Sequence, residues 1–186
     1  MQLFRMESSD PSEKALPRAA EIASSISLIY LGMTFLCAIA YWLAGMTGFD
    51  AIAHSMTTIA TGGYSTIDGS IGSFESWPIE LIATIGMIVG SLPFILYLKT
   101  LQGSHRALWQ DSQVQWFISI VVIIVLAVTA RLWLFNEIHS VDALRYAAFN
   151  VVSIITGTGY ATSDFSQWGN FSVPLFFFIM FIGGCA

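Results

Sequence analysis

Four apolar runs, which together carry only two charged residues, dominate the sequence: 27–45, 78–98, 116–135 and 173–186. A helix needs about 20 apolar residues to cross the hydrocarbon core of a bilayer. The first three runs have 19 to 21 residues, so each is predicted to span a membrane. The fourth has 14 residues and reaches the last residue of the chain, which predicts a truncated span.

The composition excludes most water-soluble classes of protein. Only 10% of the 186 residues are charged, whereas a soluble domain carries about 25%. The seven lysines and arginines are spread along the chain and leave no basic patch for a nucleic acid. We therefore predict an all-α integral membrane protein that does not bind nucleic acid.

The two long connectors between these runs are built alike. Each begins with a moderately apolar segment that is too short to span a bilayer and is predicted to form a short helix: 50–60 in the first connector and 142–156 in the second. Each predicted helix leads into a segment rich in glycine, threonine and tyrosine: 61–66 and 157–162. These two segments are called the glycine segments.

The connectors are internal repeats of each other. An offset of 96 residues aligns them without gaps over 54–78. The identical pairs include Gly63/Gly159, Tyr64/Tyr160, Thr66/Thr162, Asp68/Asp164, Ser70/Ser166, Ser76/Ser172 and Pro78/Pro174. The repeat predicts two modules of the order span, short helix, glycine segment and span. The predicted organisation is a segment 1–23, a first module 24–98, a loop 99–113 and a second module 114–186.

Local signals set expectations for individual helices. Asp50 is expected to cap the first short helix, and Ser140 or Asp142 the second. Gly90 and Pro93 are expected to bend the predicted span 78–98.

The charges predict an orientation in the membrane. The basic residues of the segment 1–23 and the loop 99–113 mark these parts as cytoplasmic: Arg5, Lys14, Arg18, Lys99 and Arg106. The connectors then face outward, with Arg145 against six acidic residues: Asp50, Asp68, Glu75, Glu137, Asp142 and Asp164. Such an outer face is predicted to attract cations. Glu80, near the outer start of its span, is predicted to reach the lipid headgroups.

The glycine segments are suited to binding a dehydrated cation. Irregular backbone at membrane depth persists only where it lines a cavity or is buried in protein. Inward-facing carbonyl oxygens can replace the hydration shell of potassium, and glycine allows the backbone conformations that this requires. The negative end of each short helix would add about half an elementary charge of attraction.

The order of parts and the motifs resemble the TrkH/KtrB/HKT superfamily of potassium transporters, most closely its bacterial TrkH branch. The motifs that carry the resemblance are Thr61-Gly62-Gly63-Tyr64-Ser65-Thr66, Gly157-Thr158-Gly159-Tyr160-Ala161-Thr162, Phe49-Asp50-Ala51-Ile52 and the terminal Gly183-Gly184-Cys185-Ala186. The likeness covers nearly the whole chain and corresponds to the second and third of four membrane–pore–membrane modules, half of a pseudo-fourfold pore.

The resemblance implies a selectivity filter for potassium, the transported ion. Gly63 and Gly159 match the filter glycines, and the implied binding positions, mainly through backbone carbonyls, are Thr61, Gly62, Gly63, Tyr64, Gly157, Thr158, Gly159 and Tyr160. The tyrosine rings are expected to pack behind the filter.

The resemblance also implies a multi-pass protein of the cytoplasmic (inner) membrane that contacts lipid and the missing modules of the same transporter. A homodimer and a cytoplasmic nucleotide-binding regulatory subunit are the further partners that it implies. The expected function is potassium uptake, not an enzymatic reaction. The alternative is a non-conducting structural subunit or an inactive fragment. A serine hydrolase is disfavoured because the sequence lacks a Gly-x-Ser-x-Gly motif.

Overall fold

The computed structural model describes residues 11–104, 106–135, 138–169 and 171–182. These residues form eight α-helices: α1 Pro11–Leu43, α2 Gly48–Ile59, α3 Trp77–Ser91, α4 Phe94–Leu101, α5 Ala107–Gln110, α6 Ser112–Phe135, α7 Ser140–Ile155 and α8 Ser172–Ile179. Two short 3-10 helices cover Ser70–Phe74 and Phe165–Trp168. No β-strand occurs in the described ranges, which confirms the all-α prediction.

Two helices are long and apolar enough to cross a bilayer by themselves. The stretch Ala20–Leu43 of α1 has a mean hydropathy of 2.0, and α6 has one of 2.5. Much of their surface is not covered by protein, with large exposed side chains at Leu28, Leu31, Phe35, Trp116, Ile123 and Leu126. Such a surface is unfavourable in water and suits lipid.

The predicted span 78–98 is not one continuous helix. It consists of α3 and α4, whose axes differ in direction by 87°. The break lies at Leu92, which is extended (φ −82°, ψ 148°) in front of Pro93, because proline disfavours the helical conformation of the preceding residue. The bend expected at Gly90 and Pro93 is therefore confirmed, whereas a single helix over the whole range is wrong.

Two glycines let α3 pack closely on the short helix α2. A Cβ atom added to Gly86 would lie 2.6 Å from the Cγ2 atom of Thr58, and one added to Gly90 would lie 2.5 Å from the carbonyl oxygen of Ile59. Neither position has room for a larger residue unless the helices separate. Small residues thus hold the end of α2 against the membrane helix.

The short helices α2 and α7 lie where the repeat predicts them, but their caps differ from the expected ones. Thr47 is the N-cap of α2, and its hydroxyl accepts a hydrogen bond from the Asp50 N–H at 3.2 Å. Asp50 lies in the first turn, where its charge is favoured by the helix dipole. His139 is the N-cap of α7 and makes no side-chain capping bond. The capping roles predicted for Asp50, Ser140 and Asp142 are therefore wrong.

One apolar core joins both modules. Tyr41 of α1, Met87 of α3 and Leu132 of α6 are among its fully buried members, together with Phe149 and Ile155 of α7. Helix α3 of the first module packs against α7 of the second. The fourth predicted run begins as helix α8 at Ser172, and residues 183–186 of that run lie outside the described residues.

Candidate functional site

Both glycine segments begin with a left-handed residue directly after a short helix. In the first segment this residue is Thr61, with φ +48°, and in the second it is Gly157, with φ +72°. The two positions are 96 residues apart, so the repeat extends to the backbone conformation. A β-branched residue is rare at such a φ, and Thr61 is consequently strained where Gly157 is not.

The two segments meet at Gly63. Gly63 and Gly159 both have positive φ angles, +69° and +85°. A Cβ atom added to Gly63 would lie 1.8 Å from the carbonyl oxygen of Thr158, whereas one added to Gly159 would meet no atom within 4 Å. Only glycine fits at position 63, because the carbonyl oxygen of Thr158 in the second segment lies against the backbone of the first segment there.

The same side-chain hydrogen bond fastens each segment to its own short helix. The Thr57 hydroxyl donates to the carbonyl of Tyr64 at 2.8 Å. The Ser153 hydroxyl donates to the carbonyl of Tyr160 at 2.6 Å. Residues 57 and 153 are repeat mates, that is, residues that the 96-residue offset aligns. Both carry a hydroxyl but they are not identical, so a search for identical residues misses this signal.

A second pair of repeat mates supports the outer part of each segment. His54 is fully buried; one ring nitrogen contacts the Asp50 carbonyl at 2.8 Å and the other contacts the Ser65 hydroxyl at 3.0 Å. Its mate Asn150 donates to the Thr162 hydroxyl at 3.0 Å. His54 therefore has a structural role in the first module, and Asn150 has the corresponding role in the second.

The side chain of Tyr160 crosses between the modules. Its ring is 2% exposed, and its hydroxyl contacts the Thr57 hydroxyl of the first module. The Thr58 hydroxyl donates to it at 3.3 Å and contacts the Tyr41 hydroxyl at 2.8 Å. Packing behind the segment is thus confirmed for Tyr160, but not for Tyr64, which is 79% exposed.

The remaining predicted positions lie in the same two segments. The Gly62 N–H donates to the Thr57 carbonyl at 2.7 Å, which turns the chain at the end of α2. The buried Thr158 hydroxyl contacts the Thr156 hydroxyl at 2.8 Å. All eight predicted positions therefore lie in two adjacent segments, although nearly 100 residues separate them in sequence.

A buried ion pair links the modules next to this site. The Arg145 Nε and Nη2 atoms of α7 donate to the two carboxylate oxygens of Glu80 on α3 at 2.6 and 2.7 Å. Glu80 is 4% exposed, so the prediction that it reaches the headgroups is wrong. The physical reason is that a buried carboxylate needs a charged partner, and the sequence alone did not bring Arg145 to it.

Hydroxyl groups stabilise two carboxylates at the predicted outer side. The Thr47 and Thr66 hydroxyls donate to Asp50 at 2.6 Å each, and these bonds lower the pKa of that carboxyl. The hydroxyl and N–H of Ser166 likewise lower the pKa of Asp164. Both residues are therefore anionic at neutral pH, while Arg145 is neutralised by Glu80, so the predicted outer side keeps an excess of negative charge.

Comparison with known proteins identifies the family. The sequence profile of the family described as "TrkH: Cation transport protein" matches residues 1–186. The chain is 42% identical to the Trk system potassium uptake protein TrkI of Halomonas elongata and 40% identical to TrkH of Escherichia coli K12. Each match covers all of this chain but only 38% and 39% of the relative.

A solved structure agrees with the fold. The crystal structure of the potassium transporter TrkH from Vibrio parahaemolyticus superimposes with a TM-score of 0.87 at 40% identity, over 91% of this chain and 37% of that one. The sequence of the Trk system potassium uptake protein TrkH of Vibrio parahaemolyticus is 42% identical to this chain over 192 residues. The chain belongs to the TrkH family of cation transport proteins.

Proposed function

We propose that the two glycine segments form half of a potassium-selective filter, through which the ion is taken up across the cytoplasmic membrane. The observation that carries the proposal is the close approach of the Thr158 carbonyl to Gly63 at the C-terminal ends of α2 and α7. Carbonyl oxygens at such a position replace water around potassium. The negative ends of the two helices favour a cation there.

The predicted residues divide into ligands and anchors. The Tyr64 and Tyr160 carbonyls accept hydrogen bonds from Thr57 and Ser153. We therefore assign these two carbonyls mainly to holding the segments at their outer ends. The ion ligands are the backbone carbonyls of the preceding positions: Thr61, Gly62, Gly63, Gly157, Thr158 and Gly159.

The complete pore needs more than this chain. The chain covers about two fifths of the relatives that it matches, and the proposed filter is open beside Gly159. We propose that further modules of the same transporter complete the ring. The acidic outer side would collect cations before they enter. An inner-membrane location, a homodimer and a nucleotide-binding cytoplasmic regulator belong to the same proposal and are supported by the family alone.

The test uses a chimera in which these 186 residues replace the matching segment of the Vibrio parahaemolyticus relative. Expressed in a host that lacks its own potassium uptake systems, the chimera should restore growth at low potassium. Gly63→Ser and Gly159→Ser should relax the preference for potassium over sodium in rubidium and sodium flux assays. Gly32→Ala is the matched control, because a Cβ atom at Gly32 meets no atom within 4 Å.

Three outcomes are informative. Restored growth with altered selectivity in both glycine variants supports the filter. Unchanged selectivity in both variants contradicts the assignment of the glycine segments. A chimera that reaches the membrane and folds but carries no potassium favours the non-conducting alternative.

A further inference from the structure

A crevice of about 290 Å³ lies where α3 of the first module packs against α7 of the second. Its walls are mostly apolar and are formed largely by Trp77, Leu81, Thr84, Val141, Leu144 and Ala148. Trp77, Leu81, Val141 and Leu144 are between 43% and 71% exposed, so the crevice is open to its surroundings. Its described walls include no residue of a glycine segment, and the proposed filter leaves it without a role.

The crevice follows both helices inward from the predicted outer side. The ranges 77–84 of α3 and 141–148 of α7 each cover about 10 Å of helix. Trp77 stands at the first turn of α3, and tryptophan favours the depth of the lipid headgroups. The remaining part lies further along the apolar helix α3, at the depth of hydrocarbon. The crevice therefore joins the headgroup layer to the acyl layer of the membrane.

Water is a poor occupant of the crevice. A water molecule takes about 30 Å³ of liquid volume and needs about three polar partners in a buried site. The Thr84 hydroxyl already donates to the Glu80 carbonyl at 2.8 Å, and both carboxylate oxygens of Glu80 accept from Arg145. An acyl chain needs no such partners and restores the dispersion contacts that an empty crevice would lose.

Arg145 gives the crevice a polar anchor. It is part of the wall, and its Nε and Nη2 atoms donate to Glu80, while Nη1 has no hydrogen-bond partner within the part of the chain that the structure describes. The Arg145 side chain is 22% exposed against 5% for Glu80, so the guanidinium is the member of the pair that a ligand can reach. Guanidinium groups bind phosphate oxygens strongly.

We propose that the crevice binds one phospholipid of the outer leaflet, with an acyl chain between α3 and α7 and a phosphate oxygen that accepts a hydrogen bond from Nη1 of Arg145. The lipid contacts both modules beside the ion pair that joins them and so stabilises their contact. The inference goes beyond the proposed filter and does not depend on it, because it needs only the contact between α3 and α7 and a membrane around it.

Native mass spectrometry of the 186-residue chain in detergent tests the proposal. The chain is titrated with dioleoylphosphatidylglycerol and with dioleoylglycerol, which has the same acyl chains but no phosphate. The phospholipid should bind about tenfold more tightly, because only it accepts the charge-assisted hydrogen bond. This comparison needs no variant, so it does not depend on whether a substituted chain folds.

Three variants locate the bound lipid. Ala148→Phe should lose the tight binding, because the larger side chain fills the crevice. Glu80→Leu/Arg145→Met removes the phosphate donor without leaving a lone buried charge, and should bind the two lipids equally. Ile123→Phe on the exposed surface of α6 is the matched control, which adds bulk outside the crevice and should bind like the unaltered chain. Thermal melting establishes that each variant is folded.

The outcomes that would overturn the proposal are distinct from a failure of the filter. Equal affinity of the unaltered chain for the two lipids would remove the phosphate contact. Unchanged binding by folded Ala148→Phe would mean that the lipid binds elsewhere on the surface. Loss of the bound lipid in the Vibrio chimera would mean that another protein segment covers the crevice. Potassium flux does not enter any of these measurements, so a contradicted filter would leave a bound lipid in place, and the reverse.

Discussion

At the scale of single residues, the positions with a left-handed backbone conformation limit which residue types the glycine segments can contain. Thr61 has φ +48°, where its repeat mate Gly157 has +72°. A non-glycine residue in this region costs of the order of 1–3 kcal/mol and persists only where its surroundings impose it. The strain lies in the segment to which we assign the ion ligands.

We expect Thr61→Gly to stabilise the chain by about 1 kcal/mol, since glycine adopts this φ without strain and loses part of the gain through its greater freedom in the unfolded state. Denaturant unfolding in detergent would measure the change. Gly157→Thr is the reverse substitution at the mate and should destabilise. A loss of stability in Thr61→Gly would contradict the inference that the backbone of Thr61 is strained.

Gly63 and Gly159 provide a matched pair for close approach. Gly63→Ala should destabilise by about 3 kcal/mol or more, because its Cβ atom would lie 1.8 Å from the Thr158 carbonyl oxygen. Gly159→Ala should cost less, about 1 kcal/mol, since it meets only the unfavourable φ of +85°. The same unfolding measurement distinguishes the two, and equal losses would show that the segments do not meet at Gly63.

At the scale of elements, the Glu80–Arg145 pair joins α3 to α7. Its geometry is bidentate, and the two side chains are 5% and 22% exposed. Removing Arg145 would leave the Glu80 carboxylate buried without a partner, whereas the guanidinium left by removing Glu80 would keep partial contact with solvent. The pair therefore acts as a lock between a membrane helix of one module and the short helix of the other.

Arg145→Met is expected to destabilise the chain by about 3 kcal/mol, and Glu80→Leu by less, because the guanidinium that remains is partly exposed to solvent. The double variant Glu80→Leu/Arg145→Met should lose clearly less than the sum of the two. A double-mutant cycle built on melting or denaturant unfolding would measure the coupling. Additive losses would show that the two side chains do not interact in the folded chain.

The turn after the second glycine segment should respond to acid through Asp164. The Ser166 hydroxyl and N–H donate to this carboxylate at 2.6 and 3.0 Å and hold its pKa below the ordinary value of 3.8. Since the folded pKa is the lower one, the contact stabilises the fold fully above pH 3.8 and is lost as the pH falls through the folded pKa.

Titration of the Asp164 carboxyl by NMR would measure this effect. In Ser166→Ala, which removes the shortest of these bonds, the pKa of Asp164 should move up towards 3.8. An unchanged pKa would show that the hydroxyl does not hold the carboxylate.

At the scale of the whole molecule, the two modules enclose the proposed ion path on part of its circumference. The described residues leave open space beside Gly159 and expose Tyr64. The contact between the modules joins two different surfaces, since α3 of the first module packs against α7 of the second. A ring of carbonyls needs all of its members around the ion. The two modules thus supply only part of the proposed ring of carbonyl oxygens.

We expect the 186-residue chain reconstituted alone into lipid vesicles to carry no potassium-selective flux, because an incomplete ring of carbonyl oxygens replaces only part of the ion's hydration shell. A fluorescent potassium indicator inside the vesicles would measure the flux, with the Vibrio chimera as the positive control. Potassium-selective flux from the chain alone would contradict the expectation and indicate that copies of it close the ring.

Much of the fold was predictable because the relevant signals are local. The spans follow from runs of apolar residues, and the short helices and the paired glycines follow from a repeat that needs no tertiary contact to be seen. The break at Pro93 follows from the geometry of proline itself. The positions of Gly63 and Gly159 are of the same kind, since positive φ is a property of one residue.

The contacts between the modules were decided only by the tertiary structure. Glu80 and Arg145 are 65 residues apart, and nothing local in either segment shows that the folded chain buries them together. The hydroxyl bonds of Thr57 and Ser153 likewise depend on how the chain turns back on its own helix. The sequence by itself determined a charge-poor membrane chain of two repeated modules, because hydrophobicity and backbone preference act locally. Only packing distinguished the covered Tyr160 from the exposed Tyr64. The two modules contact each other through different surfaces, so identical residues at repeated positions have different neighbours.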